Sequence, residues 1–173
     1  MGSYKVVVTG TFNSGKTQFI KSISDIPVIS TEKAVTTEDR TIKPDTTVAM
    51  DYGRVTLDGD TLHLFGTPGQ TRFDFMRDIL QKEMQAFIVL IDSADPPSFP
   101  EAAGIIEQFL AFANVPYLVV ANKSDLPDAQ KLSEVQRGTR LSDSVTIMPC
   151  NALQKSSVRQ VLRQVLEMLH AQE

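Results

Sequence analysis

The sequence predicts an α/β fold: a mostly parallel six-stranded sheet with helices on both faces and one antiparallel edge pair. Three observations carry this expectation. Short β-rich apolar runs alternate with longer helical patterns along the chain. The later runs are almost continuously apolar, as strands of a parallel sheet buried on both faces must be. One pair of runs flanks Asp58-Gly59, a dipeptide that accepts the positive φ angles of a tight hairpin turn.

The elements follow in order. A strand over 4–9 is built on Val6, Val7 and Val8, and a helix follows over 16–24. Residues 25–45 are rich in Thr, Lys, Glu and Asp, with Pro27 and Pro44 near the ends and no sustained apolar period, which reads as a long exposed loop. Strands over 47–57 and 60–65 form the antiparallel hairpin, and further strands are expected over 86–92, 117–121 and 145–150. Ser98 and Glu101 stand at capping-box spacing before a helix over 102–113. Val158, Val161, Leu162, Val165, Leu166 and Leu169 mark one face of the last helix.

With 173 residues, 42% of them hydrophobic and 22% charged, the chain is expected to form one domain over 1–173 and fits neither disorder nor a coiled coil. A net charge of -4 works against a broad grip on nucleic acid or anionic lipid. The lone Cys150 excludes an intrachain disulfide and suits a reducing, cytoplasmic compartment. No apolar run approaches the roughly 18 residues of a membrane span. Val6 stands where a myristoylation signal prefers Ser or Thr, and Ala171-Gln172-Glu173 is no prenylation box, so no intrinsic membrane anchor is expected.

Two motifs carry chemistry. Gly10-Thr11-Phe12-Asn13-Ser14-Gly15-Lys16-Thr17 matches G-x-x-x-x-G-K-[ST] between the first strand and the first helix. Its glycines let the backbone wrap a phosphate, and the amides of Asn13, Ser14, Gly15, Lys16, Thr17 and Gln18 can face the anion at a helix N-terminus. Lys16 can neutralise the β and γ oxygens, and Thr17 can offer its hydroxyl to Mg²⁺. This motif does not choose between ATP and GTP. Asn122-Lys123-Ser124-Asp125 directly follows the strand at 117–121, at the edge where open α/β sheets bind ligands. Guanine presents N1-H and a 2-amino group side by side, which one carboxylate accepts together, whereas adenine presents neither, so Asp125 would select guanine. Asn122 can bond the base edge and tie to the phosphate loop, and the Lys123 stem can lie along the ring.

With both motifs in this order, the chain resembles the Ras-like small GTPases over nearly its whole length, and so a P-loop NTPase fold. The resemblance implies that GTP or GDP and Mg²⁺ are the ligands and that GTP is slowly hydrolysed to GDP. It identifies Thr47, or else Thr46, as the switch threonine that reaches Mg²⁺ in the triphosphate state. In Gly66-Thr67-Pro68-Gly69-Gln70 it makes Gly69 the sensor of the γ-phosphate and Gln70 the group that orients the attacking water, so that Gln70 and Lys16 are the catalytic residues. It also places the amide of Ala152, beside Leu153, at the guanine O6. Loops over about 30–47 and 66–80 would be the switches, binding protein effectors and a GTPase-activating partner.

Two departures stand out. Gly66 replaces the aspartate that usually holds a Mg²⁺-bound water, and Phe12 replaces a glycine of Ras itself. The Pro-Gly-Gln variant looks nearer to the bacterial gliding-motility GTPases than to eukaryotic Ras. These departures keep open a GTP-binding module with little or no hydrolysis. An ATP-dependent small-molecule kinase would share the phosphate loop but need an acceptor site and an Arg-bearing lid. His63, His170 and Cys150 read as structural residues, and Arg40 as a solvated loop charge.

Overall fold

The computed structural model describes residues 1–34, 47–67 and 83–173. Its strands are β1 (Ser3–Gly10), β2 (Ile29–Ala34), β3 (Thr47–Leu57), β4 (Asp60–Gly66), β5 (Ala86–Asp92), β6 (Tyr117–Asn122) and β7 (Ile147–Pro149). Its helices are α1 (Lys16–Ile23), α2 (Phe99–Phe112), α3 (Leu132–Thr139) and α4 (Lys155–His170). The strands form one sheet in the order β2-β3-β4-β1-β5-β6-β7. β1 runs parallel to both β4 and β5, and β6 runs parallel to β5 and β7. The chain therefore leaves β1 to one side of the sheet and returns on the other, so the loop after β1 opens at the reversal point where α/β sheets form a crevice.

All six expected strands are present. A seventh, β2, lies inside the stretch expected to be an exposed loop, and it pairs antiparallel with β3 from Ile29 opposite Tyr52 to Ala34 opposite Thr47. An edge strand needs no second apolar face, and its stability comes from ladder bonds to one neighbour, so a polar sequence without alternation can still hold it.

Alternating side chains of β1 build both apolar layers. Val6 and Val8 join Phe19, Ile20 and Ile23 of α1 and Val158, Val161 and Leu162 of α4. Val7 faces the other way, into Phe99, Ile105 and Phe109 of α2 and Val135 of α3. All six expected apolar positions of α4 are buried. The hairpin turn has both residues at positive φ, 52° at Asp58 and 87° at Gly59, as the dipeptide predicted.

The expected capping box is not formed. A 3₁₀ turn over Pro96–Ser98 leads straight into α2, which begins at Phe99. Ser98 is already helical, with φ -81° and ψ -12°, and its side chain makes no cap. Its hydroxyl donates instead to Asp95 O at 2.7 Å. Capping needs an extended backbone, which the preceding turn removes. Among the described residues no helix is long and apolar enough to cross a membrane.

Candidate functional site

The loop between β1 and α1 depends on backbone conformations that its sequence supplies. Gly10 and Gly15 sit at φ 151° and 101°, and Asn13, a residue type that tolerates the left-handed region, at 64°. A Cβ on Gly10 would lie 2.4 Å from the Leu90 carbonyl oxygen, so the loop packs against β5 as only glycine allows. α1 begins after Gly15 with no side-chain cap, which leaves its first amides available to an anion. Lys16 is buried, and its ammonium donates to Thr11 O at 2.7 Å and Gly10 O at 3.1 Å.

The segment Asn122-Lys123-Ser124-Asp125 is fastened to this loop. Asn122 Nδ2 donates to Ser14 O at 2.8 Å, and Asn122 Oδ1 accepts from the Ala152 amide at 3.0 Å. Ser22 of α1 donates to the Ala152 carbonyl as well. Lys123, at φ 59°, reaches back to donate to Asn13 O at 2.8 Å while pairing with Asp92 Oδ2 at 2.9 Å. Asp125 is exposed, and no described residue bonds its carboxylate. One buried side chain, Asn122, thus joins the loops after β1, β6 and β7.

The structure brings together Asn13, Ser14, Gly15, Lys16, Asn122, Lys123 and Ala152. Thr17 and Gln18 open α1 on the same edge, with Gln18 Nε2 donating to Ser22 Oγ at 3.0 Å. Leu153 is exposed, and its amide donates to Asn151 Oδ1 at 3.1 Å. Thr47 begins β3 opposite Ala34. Thr46, Gly69, Gln70 and Arg40 lie outside the described residues. Phe12 projects from the loop with 59% of its surface exposed.

Two carboxylates were missed. Asp51 Oδ2 accepts a 2.5 Å hydrogen bond from Thr17 Oγ1, so a carboxylate stands at the threonine that opens α1. Asp51 lies opposite Gly66 in the hairpin ladder. Stepping seven residues back from Asp58 and seven on from Gly59 gives this pair, so the turn held the signal. Asp92 ends β5 opposite Asn122, one residue from the Lys123 it holds. That pairing depends on the register of two parallel strands, which no local signal fixes.

The remaining candidates are structural. His63 hydrogen-bonds to Tyr52 Oη at 2.8 Å and Ser3 Oγ at 3.0 Å, and His170 to Asp60 Oδ2 at 2.7 Å. Burial pushes the Cys150 thiol up, away from thiolate chemistry.

A model of the Ras family matches residues 5–171. MJ1339, an uncharacterised protein of Methanocaldococcus jannaschii, is 32% identical over 124 residues, covering 72% of each chain. The Arl6 BBS3 small GTPase of Trypanosoma brucei, solved with the bound nucleotide analogue GppNp, matches with a TM-score of 0.76 at 20% identity, covering 99% of both chains. At that identity the likeness is one of fold.

Proposed function

The chain belongs to the Ras family of small GTPases, and on that footing we propose that it is a guanine-nucleotide switch that binds GTP or GDP with Mg²⁺ and slowly hydrolyses GTP. The observation that carries this reading is the Asn122 bridge, which ties the phosphate loop to the base-reading loop through bonds to Ser14 O and from the Ala152 amide. In this reading the amides of residues 13–18 cradle the phosphates, Lys16 turns its ammonium from the loop carbonyls toward the β and γ oxygens, and Asp125 accepts the guanine N1-H and 2-amino group. Lys123, braced by Asp92, lays its stem along the base. Ala152 orients Asn122, and its amide would reach the guanine O6 by sharing its hydrogen.

The residues present fit Mg²⁺. The ion favours oxygen ligands and is usually shared with substrate phosphates, and Thr17 Oγ1 beside Asp51 supplies hard oxygens at the mouth of the loop. Among the described residues no cluster of three or more His, Cys, Asp or Glu could hold a metal alone, in keeping with an ion shared with nucleotide. Thr17 would hold it, joined by Thr47 in the triphosphate state. When bound, the ion neutralises phosphate charge. Gln70 orients the attacking water, Gly69 senses the γ-phosphate, and the loops over 30–47 and 66–80 bind effectors and an activating partner. Residues 1–173 act as one cytoplasmic G domain. Gly66 and Pro68-Gly69-Gln70 support placing it with the gliding-motility branch.

Competition titration tests the base assignment. GTP and GDP are expected to bind far better than ATP, and Asp125→Ala to lose that preference, because unpairing a charge-assisted contact costs about 1.5–3 kcal/mol, more than tenfold. Equal ATP and GTP affinities would overturn it. A second reading, nucleotide binding with little turnover, is motivated by exposed Phe12 at the loop, and single-turnover hydrolysis separates the two.

A further inference from the structure

Gly66 deprives β4 of a side chain at a point where β3 carries a carboxylate. The two positions face each other in the antiparallel ladder. A Cβ built on Gly66 would lie 3.2 Å from Asp51 Cβ and 3.5 Å from Asp51 Oδ2, so the Asp51 carboxylate borders the space beside Gly66. From there its Oδ2 accepts a hydrogen bond from the Thr17 hydroxyl at 2.5 Å. A threonine hydroxyl has one proton and two lone pairs. Donating the proton to Asp51 fixes the rotor, turns the lone pairs away from the carboxylate and raises their basicity, which is how a partner behind a ligand strengthens it.

We propose that Asp51 is the positioning carboxylate of the Mg²⁺ site, acting through Thr17 from β3 in place of a residue on β4. The inference rests on the nucleotide-switch reading and deepens it. The aspartate that Gly66 replaces thereby has a counterpart: the carboxylate stands one strand across the sheet. Gly66 and Asp51 are directly opposed cross-strand neighbours, and a Cβ at 66 would come within a few tenths of an ångström of crowding Asp51.

The test measures release of fluorescently labelled GDP into excess unlabelled GDP while free Mg²⁺ is varied from chelator to millimolar. In the wild type, Mg²⁺ slows release with a definable midpoint. Asp51→Asn keeps the size of the side chain and is expected to raise that midpoint by about 10–100-fold. The double variant Asp51→Gly with Gly66→Asp returns the carboxylate from the opposite strand, its main obstacle being the flexible end of Ile20, whose Cδ1 lies 3.0 Å from the new Cβ position. It is expected to bring the midpoint back toward wild type, which a purely structural role for Asp51 would not do. Thermal unfolding verifies that each variant is folded, and Asp51→Ala serves if Asp51→Asn is not. A wild-type response with an unmoved midpoint in Asp51→Asn overturns the proposal alone. A wild type that does not bind labelled GDP, or releases it without regard to Mg²⁺, overturns the switch reading and the proposal with it.

Discussion

Gly15 and Asn122 occupy adjoining space so closely that a Cβ on Gly15 would lie 2.3 Å from Asn122 Nδ2. The nitrogen held there is the one that donates to Ser14 O. Gly15 also needs φ 101°, a left-handed conformation that costs other residues about 1–3 kcal/mol.

Gly15→Ala therefore strains the loop and displaces Asn122 at once. Labelled-GDP affinity is expected to fall roughly a hundredfold, the sum of backbone strain and one lost hydrogen bond of about 1 kcal/mol. Fluorescence titration checks it, and an affinity within threefold of wild type would show that the two loops are independent.

Lys123 is braced by Asp92, and the pair is partly shielded, with side-chain exposures of 34% and 13%. Asp92→Ala should weaken GDP binding by about 1–2 kcal/mol, because the ammonium loses the partner that aims its stem at the base. Lys123→Ala should cost a similar amount, and the double variant little more than either single one. Additive losses would mean that Asp92 acts elsewhere.

Intrinsic hydrolysis should be slow, near the family benchmark of roughly 10⁻⁴ s⁻¹ without a partner. Gln70→Leu is expected to lower it while sparing GTP affinity, since in the proposed role the group would act on water and contact neither base nor phosphate. Phe12→Gly tests crowding of the γ-phosphate separately. Single-turnover assays decide, and seconds-scale hydrolysis by the unaided protein would refute partner dependence.

Acid stability should hinge in part on Asp60. The Gly2 amide, 2.6 Å away, holds its carboxyl below the ordinary value, and His170 adds to this against the opposing effect of burial. A lowered folded pKa contributes stability above the unfolded value of about 4 and loses it as pH falls through the folded one. Thermal midpoints of the wild type should therefore drop more steeply than those of Asp60→Asn as the pH falls below about 4. Parallel curves would refute the linkage.

What could be read from the sequence was what local chemistry enforces. Val6 to Val8 declare a strand because both faces of β1 are buried. The motifs at 10–17 and 122–125 reveal themselves because their residues stand in consecutive positions at the carboxyl ends of β1 and β6. β2 stayed hidden because its polar sequence shows no apolar alternation and its pairing with β3 joins residues far apart in the chain. Ser98 was misjudged as a cap because the turn before it decides its backbone. Asp51 and Asp92 escaped notice because each acts on a residue far along the chain, through strand register.

The Asn122 bridge has a consequence for how tightly a ligand is held. Three loops, each following a different strand, are already fixed in one arrangement by Ser14 O, the Asn122 amide group and the Ala152 N-H. Their conformational entropy is lost when the chain folds, so it does not subtract from the affinity for a nucleotide arriving later. A site prepared in this way spends less of its contact energy on ordering itself, leaving more of it to hold whatever enters.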